Sequence, residues 1–244
     1  MDILIVAALA LGGMLLGSTL WVTSRLLAVG AIPARRPPCH GCGVALGVLT
    51  WAPLFGALRR CPSCGVAAGG RLRVALELAL AAAFAVAAWR MDGGSTTAYV
   101  LFCIPLIVIG LTDAWSGYVF RNLAIGGILL GIVVALIEGI GAIDSAILGA
   151  GAGLAIFAAM MVLARGILPT MRLAPIGGGD VLVAGMIGAM AGWPGALFAL
   201  AAGVLAGGVG AVVVLVRRRA RTARVVPFGP FLCGAALVVF LLWF

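Results

Sequence analysis

Two sets of side chains in this sequence have the type and spacing to do chemistry. The first is four thiols, Cys39-x2-Cys42 and, eighteen residues later, Cys61-x2-Cys64. A CxxC pair places two thiolates on one tight turn, and two such turns complete a tetrahedral zinc site. With thiolate at all four positions such a site would be structural rather than catalytic. Disulfides and free redox-active thiols are the alternatives. The second set is two carboxyl groups, Asp113 in LIVIGLTDAWSGYVFRN and Asp180 in PIGGGDVLVAG. If they meet, one protonated and one ionised, they can polarise a water for attack on a peptide carbonyl, which is aspartic-protease chemistry. The plainer alternative is that each acid caps an apolar helix at a water interface. His40 is the sole histidine and lies between the first two cysteines, as a spare ligand or a solvated bystander. From there it leaves no Ser-His or Cys-His nucleophilic machinery to assemble. Cys103 and Cys233 lie in apolar runs and read as packing.

The elements that carry these groups must be membrane helices. Of the 244 residues 64% are hydrophobic and 9% charged, and the mean hydropathy is +1.28. A soluble domain carries roughly 25% charged residues, so a water-facing surface for a chain of this length is excluded. Apolar stretches near 3–24, 74–90, 97–114, 121–138, 144–164, 180–194, 196–216 and 227–244 predict about eight transmembrane helices in an all-α polytopic fold. The N-terminal stretch lacks a cationic leader region and carries Asp2, so it reads as a retained first span rather than a cleaved signal peptide.

All sixteen cations are arginines. Seven, from Arg25 to Arg73, lie between the first two spans, and others follow the third, fifth and seventh; only Arg90 lies on the opposite side. The positive-inside rule then puts the basic loops in the cytoplasm and both termini outside. Nucleic acid is not implied by the net charge of +9, because the arginines punctuate spans. The run Arg217 to Arg224 reads as a topology determinant contacting anionic lipid headgroups. This topology puts Asp113 and Asp180 on one face of the membrane, and it places the cysteine loop in a reducing compartment, which disfavours disulfides. The expected organisation is a first helix over 1–24, a small cytoplasmic zinc-binding loop domain over 25–73, and a seven-helix membrane core over 74–244.

Ionisable groups at membrane depth are functional candidates. Besides the two aspartates only Glu77 qualifies at the inner side; it either pairs with Arg71 or Arg73 or takes a direct chemical part. Gly177 and Gly179 beside Asp180 would let a substrate backbone approach. A small transporter with a zinc loop is a competing class. Its polar residues would gather near the bilayer midplane, whereas the acids here cluster at span ends. An inactive assembly platform is another alternative.

These residues resemble those of the type IV prepilin leader peptidases. Gly177, Gly179 and Asp180 match the GxGD motif of that family, and Asp113 matches its other catalytic aspartate. The tetracysteine loop with Trp51 and Pro53 is similar, as are Glu77 at the start of the next span and the PFGP element Pro227 to Pro230. Two departures stand out: Leu182 occupies a position often held by lysine, and VFRN, with Asn122, replaces a Pro-Asp/Asn element. The intramembrane proteases of the presenilin class also use GxGD but carry a Pro-Ala-Leu element, absent here. The resemblance implies an aspartic endopeptidase of the bacterial inner (cytoplasmic) membrane. Its substrates would be prepilins or pseudopilins, each with a basic leader and a hydrophobic helix, in type IV pilus assembly or protein secretion. It also implies methylation of the new N-terminus from S-adenosylmethionine.

Overall fold

The computed structural model describes residues 3–28, 30, 39, 41–167, 177–217 and 227–243. His40, Arg35, Arg36, Arg172 and the arginines from 218 to 224 lie outside them. Among the described residues the chain is all-helical, apart from an isolated antiparallel bridge between Arg60 and Ala67. Its α-helices are α1 (Ile3–Ala28), α2 (Phe55–Leu58), α3 (Gly70–Arg90), α4 (Gly93–Ser116), α5 (Arg121–Glu138), α6 (Ile140–Ile167), α7 (Gly178–Ala191), α8 (Gly195–Arg217) and α9 (Gly229–Trp243). A single 3-10 turn covers Val48–Trp51. Six of these helices are long and apolar enough to cross a membrane, and α7 and α9 are shorter apolar helices. This is a membrane protein built on eight apolar helices, with a four-cysteine cluster between α1 and α3.

The chain divides into two compact units, residues 1–100 and 101–244. In the first, α1 lies along α3. Glycines set their approach: a Cβ on Gly13 would stand 2.6 Å from the Leu80 carbonyl oxygen, and one on Gly17 would stand 3.1 Å from the Glu77 Cα. The helix α3 starts at Gly70, four residues before the apolar run at 74. Arg73 is therefore a helical residue rather than part of the basic loop, and it is buried.

In the second unit α7 is the central element. It is 14 residues long, about 21 Å at 1.5 Å per residue, against roughly 30 Å of bilayer hydrocarbon. Its residues from Val183 to Met190 are all buried, wrapped by α5, α6, α8 and α9. A helix enclosed by protein does not have to match the lipid thickness, which accounts for its shortness. The contact with α6 is set by small residues on both sides. A Cβ on Gly149 would collide with the Gly188 carbonyl oxygen, and one on Gly153 with that of Ala184. This is the close backbone approach that membrane helices use to gain dispersion energy. Beyond Ala191 the chain turns through Gly192, at φ +63°, into a cis Trp193–Pro194 bond. Ser145 holds that turn: its Oγ donates to the Trp193 carbonyl at 3.0 Å and accepts from the Trp193 N–H at 2.9 Å.

Helix ends alternate within this unit. The end of α5 (Glu138), the start of α6 (Ser145), the end of α7 (Gly192) and the end of α9 (Trp243) line one cavity of about 210 Å³. The end of α4 and the starts of α7 and α9 come together elsewhere, and there the two aspartates lie.

Candidate active site

Asp113 occupies the last turn of α4 and is 6% exposed. Its partner is backbone: the Gly229 N–H at the start of α9 donates to Asp113 Oδ2 at 2.9 Å. Such a charge-assisted bond to a buried carboxyl fixes the rotamer as well as stabilising the group. With the carboxyl in this position only glycine fits at 229, since a Cβ there would stand 2.7 Å from Oδ2. Thr112, directly before the acid, is turned inward to its own helix, donating to the carbonyls of Val108 at 2.7 Å and Ile109 at 3.1 Å.

Asp180 sits in the first turn of α7 and is half-buried. It occupies the third helical position after the N-cap Gly177 and accepts the Gly177 N–H at 2.8 Å, the acidic half of a capping box. The two motif glycines therefore have different physical roles. Gly177 supplies the N–H that orients Asp180, and its own Cβ position is uncrowded. Gly179 is a packing glycine, because a Cβ there would come within 2.8 Å of the Val119 Cβ. The structure brings Asp113 and Asp180 close enough to interact electrostatically. Two carboxyls lie at one end of a helix bundle, one buried and one reached by water, each held by a backbone N–H. Asn122 in the first turn of α5 is exposed.

Glu77 lies in the other compact unit and is fully buried, at 0% exposure. Its Oε1 accepts from Arg73 Nε at 2.8 Å, an i, i+4 pair, and its Oε2 accepts the Leu54 N–H at 2.7 Å. Arg73, 1% exposed, also donates through Nη2 to Ser18 Oγ at 2.6 Å and to the Ala52 carbonyl at 3.1 Å. Ser18 in turn donates to the Trp51 carbonyl at 2.6 Å. Two buried charges are tolerated because they pair with each other and each makes further hydrogen bonds. The network fastens residues 51–54 to α1 and α3, and it holds Leu54 at φ +54°, a conformation costly for a branched side chain.

The four cysteines between α1 and α3 form two turns of the same geometry. The Cys39 N–H donates to the Val44 carbonyl at 2.8 Å and the Gly43 N–H to Cys39 at 2.9 Å. Correspondingly, Cys61 pairs with Val66 at 2.9 Å and Gly65 with Cys61 at 2.8 Å. Gly43 and Gly65 both adopt φ +72°, which is why glycine follows the second cysteine of each pair. All four carry free thiols, and their Sγ atoms lie within 4.8 Å of one another. The separations of 3.4 Å between Cys39 and Cys64 and 3.6 Å between Cys42 and Cys61 are near the edge of about 3.8 Å for a tetrahedron with Zn–S bonds of about 2.3 Å. Backbone N–H groups of Cys64 and Ser63 hold the Cys61 thiol down at about 6, so a thiolate is available there near neutrality. The donor set fits a tetrathiolate metal ion, with no fifth protein group among the described residues.

The Gly229 donor, the Val119 wall and the Ser18 member of the buried network are not readable as site residues from the sequence, whereas the Arg73–Glu77 pair is one of the two pairings it offered. The PFGP string was a signal for the first, without indicating which group it serves.

Residues 100–212 match the model of the type IV leader peptidase family. That segment contains Asp113 and Asp180 and ends before Gly229. Over 242 residues the chain is 30% identical to a prepilin leader peptidase/N-methyltransferase of Burkholderia pseudomallei strain 1026b, covering 90% of this chain and 76% of the relative. The same identity and coverage hold for the protein of that name from strain K96243. No solved structure matches the chain. Near-full-length similarity, together with two acids converging at one end of the bundle, leads to one conclusion: this chain belongs to the type IV leader peptidase family.

Proposed function

We propose that this protein is a membrane aspartic endopeptidase that removes the leader peptide of prepilins or pseudopilins, with Asp113 and Asp180 as its catalytic dyad. The observation that supports the reading is that these two acids lie within electrostatic reach at one end of the bundle, in a chain of this family. In the mechanism one carboxylate takes a proton from a bound water as that water attacks the scissile carbonyl, while the protonated partner donates to the carbonyl oxygen. Collapse of the tetrahedral intermediate expels the new N-terminal amine, which takes up a proton. Gly177 and Gly179 support the Asp180 loop.

The arginine distribution supports an inner-membrane protein with its active site at the cytoplasmic face and both termini outside. Substrates suited to this geometry carry a short basic leader in the cytoplasm and a hydrophobic helix beyond the cleaved bond. Zinc is the metal best matched to Cys39, Cys42, Cys61 and Cys64, and its role is structural: it would hold a small loop domain (25–73) between the first span and the membrane core (74–244). The curated relatives' name supports a second activity, methyl transfer from S-adenosylmethionine to the new N-terminus, with Glu77 supporting the loop.

Co-expression with a prepilin of the same organism tests the reading, leader removal being followed by gel shift. Wild type cleaves, and Asp113→Asn and Asp180→Asn each lose roughly 10²–10⁴-fold in rate at equal membrane insertion. Cleavage at the wild-type rate by either variant would reject the dyad.

A further inference from the structure

Beside the acids the second unit carries an open groove of about 430 Å³, lined by Ala202 and Ala206 of α8 and by Pro230, Phe231, Gly234, Ala235, Val238 and Val239 of α9. The α9 residues follow an i, i+1, i+4, i+5, i+8, i+9 pattern, which is one helix face, and from Pro230 to Val238 that face runs about 12 Å. Side-chain N and O atoms are absent from its walls.

The groove is not the seam that joins α8 to α9. That seam is made by Gly203 against Leu232, Gly207 against Phe228 and Gly210 against Phe231. The groove lies beside it, with Phe231 bordering both, and a Cβ on Gly234 would meet nothing within 4 Å. Lipid tails would be served equally well by leucine or isoleucine at the small positions Ala202, Ala206, Gly234 and Ala235. Small walls leave room for a backbone to come close, as in helix pairs within membranes.

Position decides what fills it. Pro230 follows Gly229 directly, and the Gly229 N–H holds Asp113 Oδ2. A peptide bond presented to Asp113 therefore has the mouth of the groove next to it. We propose that the α8–α9 groove receives the opening turns of the hydrophobic substrate helix that follows the scissile bond. This rests on the function proposed above and assigns it a docking surface: leader residues stay in water, while the segment beyond the cleaved bond lies apolar against apolar along α9. Registering that helix would present the bond to the acids, so recognition extends beyond the leader.

The test uses Gly234→Leu, which projects into the groove from a position where an added Cβ meets nothing within 4 Å, and Gly151→Leu on α6, where an added Cβ also meets nothing within 4 Å. Each is assayed with full-length prepilin and with a soluble peptide that spans the cleavage site and lacks the helix. For Gly234→Leu, kcat/KM on the full-length substrate falls by about tenfold or more, carried by KM, the scale of lost complementarity in an apolar pocket. Its activity on the peptide stays at the wild-type level, and Gly151→Leu matches wild type on both. A photo-crosslinker at Val238, which is 57% exposed, captures the substrate helix. Equal full-length cleavage by the two variants, a parallel fall on both substrates, or no crosslink would each overturn the docking site. Failure of wild type to cut full-length prepilin at all would remove the proposed function, and the docking site with it; the wild-type lane separates that case from the others.

Discussion

The N–H of Gly229 reaches the Asp113 carboxyl across 116 positions of sequence and binds it at 2.9 Å. The acid at the end of α4 is thus held by the first residue of α9, and the space between them excludes even one carbon. Gly229→Ala puts a methyl group 2.7 Å from Oδ2, so the carboxyl must turn away. Since a displacement of about 1 Å at a reacting group can cost roughly 10²-fold, leader cleavage falls on that scale while insertion and thermal stability stay close to wild type. Cleavage assayed beside a melting curve in detergent checks this; unchanged cleavage would mean that Asp113 does not depend on that donor.

The α6–α7 contact is expected to tolerate no side chain at 149. Gly149→Ala forces a carbon onto the Gly188 carbonyl, whereas Gly151→Ala, two residues on, meets open space. Overpacking of this kind costs about 1–3 kcal/mol, so the first variant melts earlier and the second matches wild type. Activity follows stability at 149, because α7 carries Asp180 in its first turn.

Removing one partner of the buried pair is worse than removing both. Glu77→Ala leaves Arg73 without its carboxylate in a site that is 1% exposed, and such orphaned charges cost about 3–5 kcal/mol. The double variant Arg73→Met/Glu77→Leu recovers part of that loss in a thermal melt. Loss of N-terminal methylation by Glu77→Gln at an unchanged melting temperature would instead give the carboxylate a chemical part.

Metal analysis of the purified protein is expected to find one zinc per chain, lost in a Cys39→Ser/Cys61→Ser variant. Chelation then exposes residues 41–68 to protease, since the loop between the knuckles has little core beyond Cys39, Leu46 and Cys61. Leader cleavage persists, as both aspartates lie in the other compact unit. Protease resistance unchanged by chelation would show that the metal does not hold the loop.

Hydropathy made the helices legible because each apolar run must bury itself, and the arginines marked where the chain leaves the lipid. Boundaries moved where local chemistry overrode that signal. Two examples are α3, which begins at Gly70 and carries Arg73 inside the helix, and α7, which stops at Ala191 before the Gly192 turn. The acids of the site were legible because charge is so scarce in this chain. Their supports were not. Gly229 acts through a main-chain N–H and Val119 through its bulk, and neither leaves a mark in residue type. Ser18 resembles any small polar residue of a span until Arg73 Nη2 is found 2.6 Å from it.

The Asp113–Gly229 bond also has a meaning for biosynthesis. A ribosome delivers Asp113 and Asp180 to the bilayer well before it reaches Gly229, and the donor for Asp113 arrives 116 residues after the acid it serves. A nascent chain stalled between α8 and α9 holds both acids but lacks the contact that orients the first. Under the proposed function, the dyad takes its final geometry only once α9 has been made.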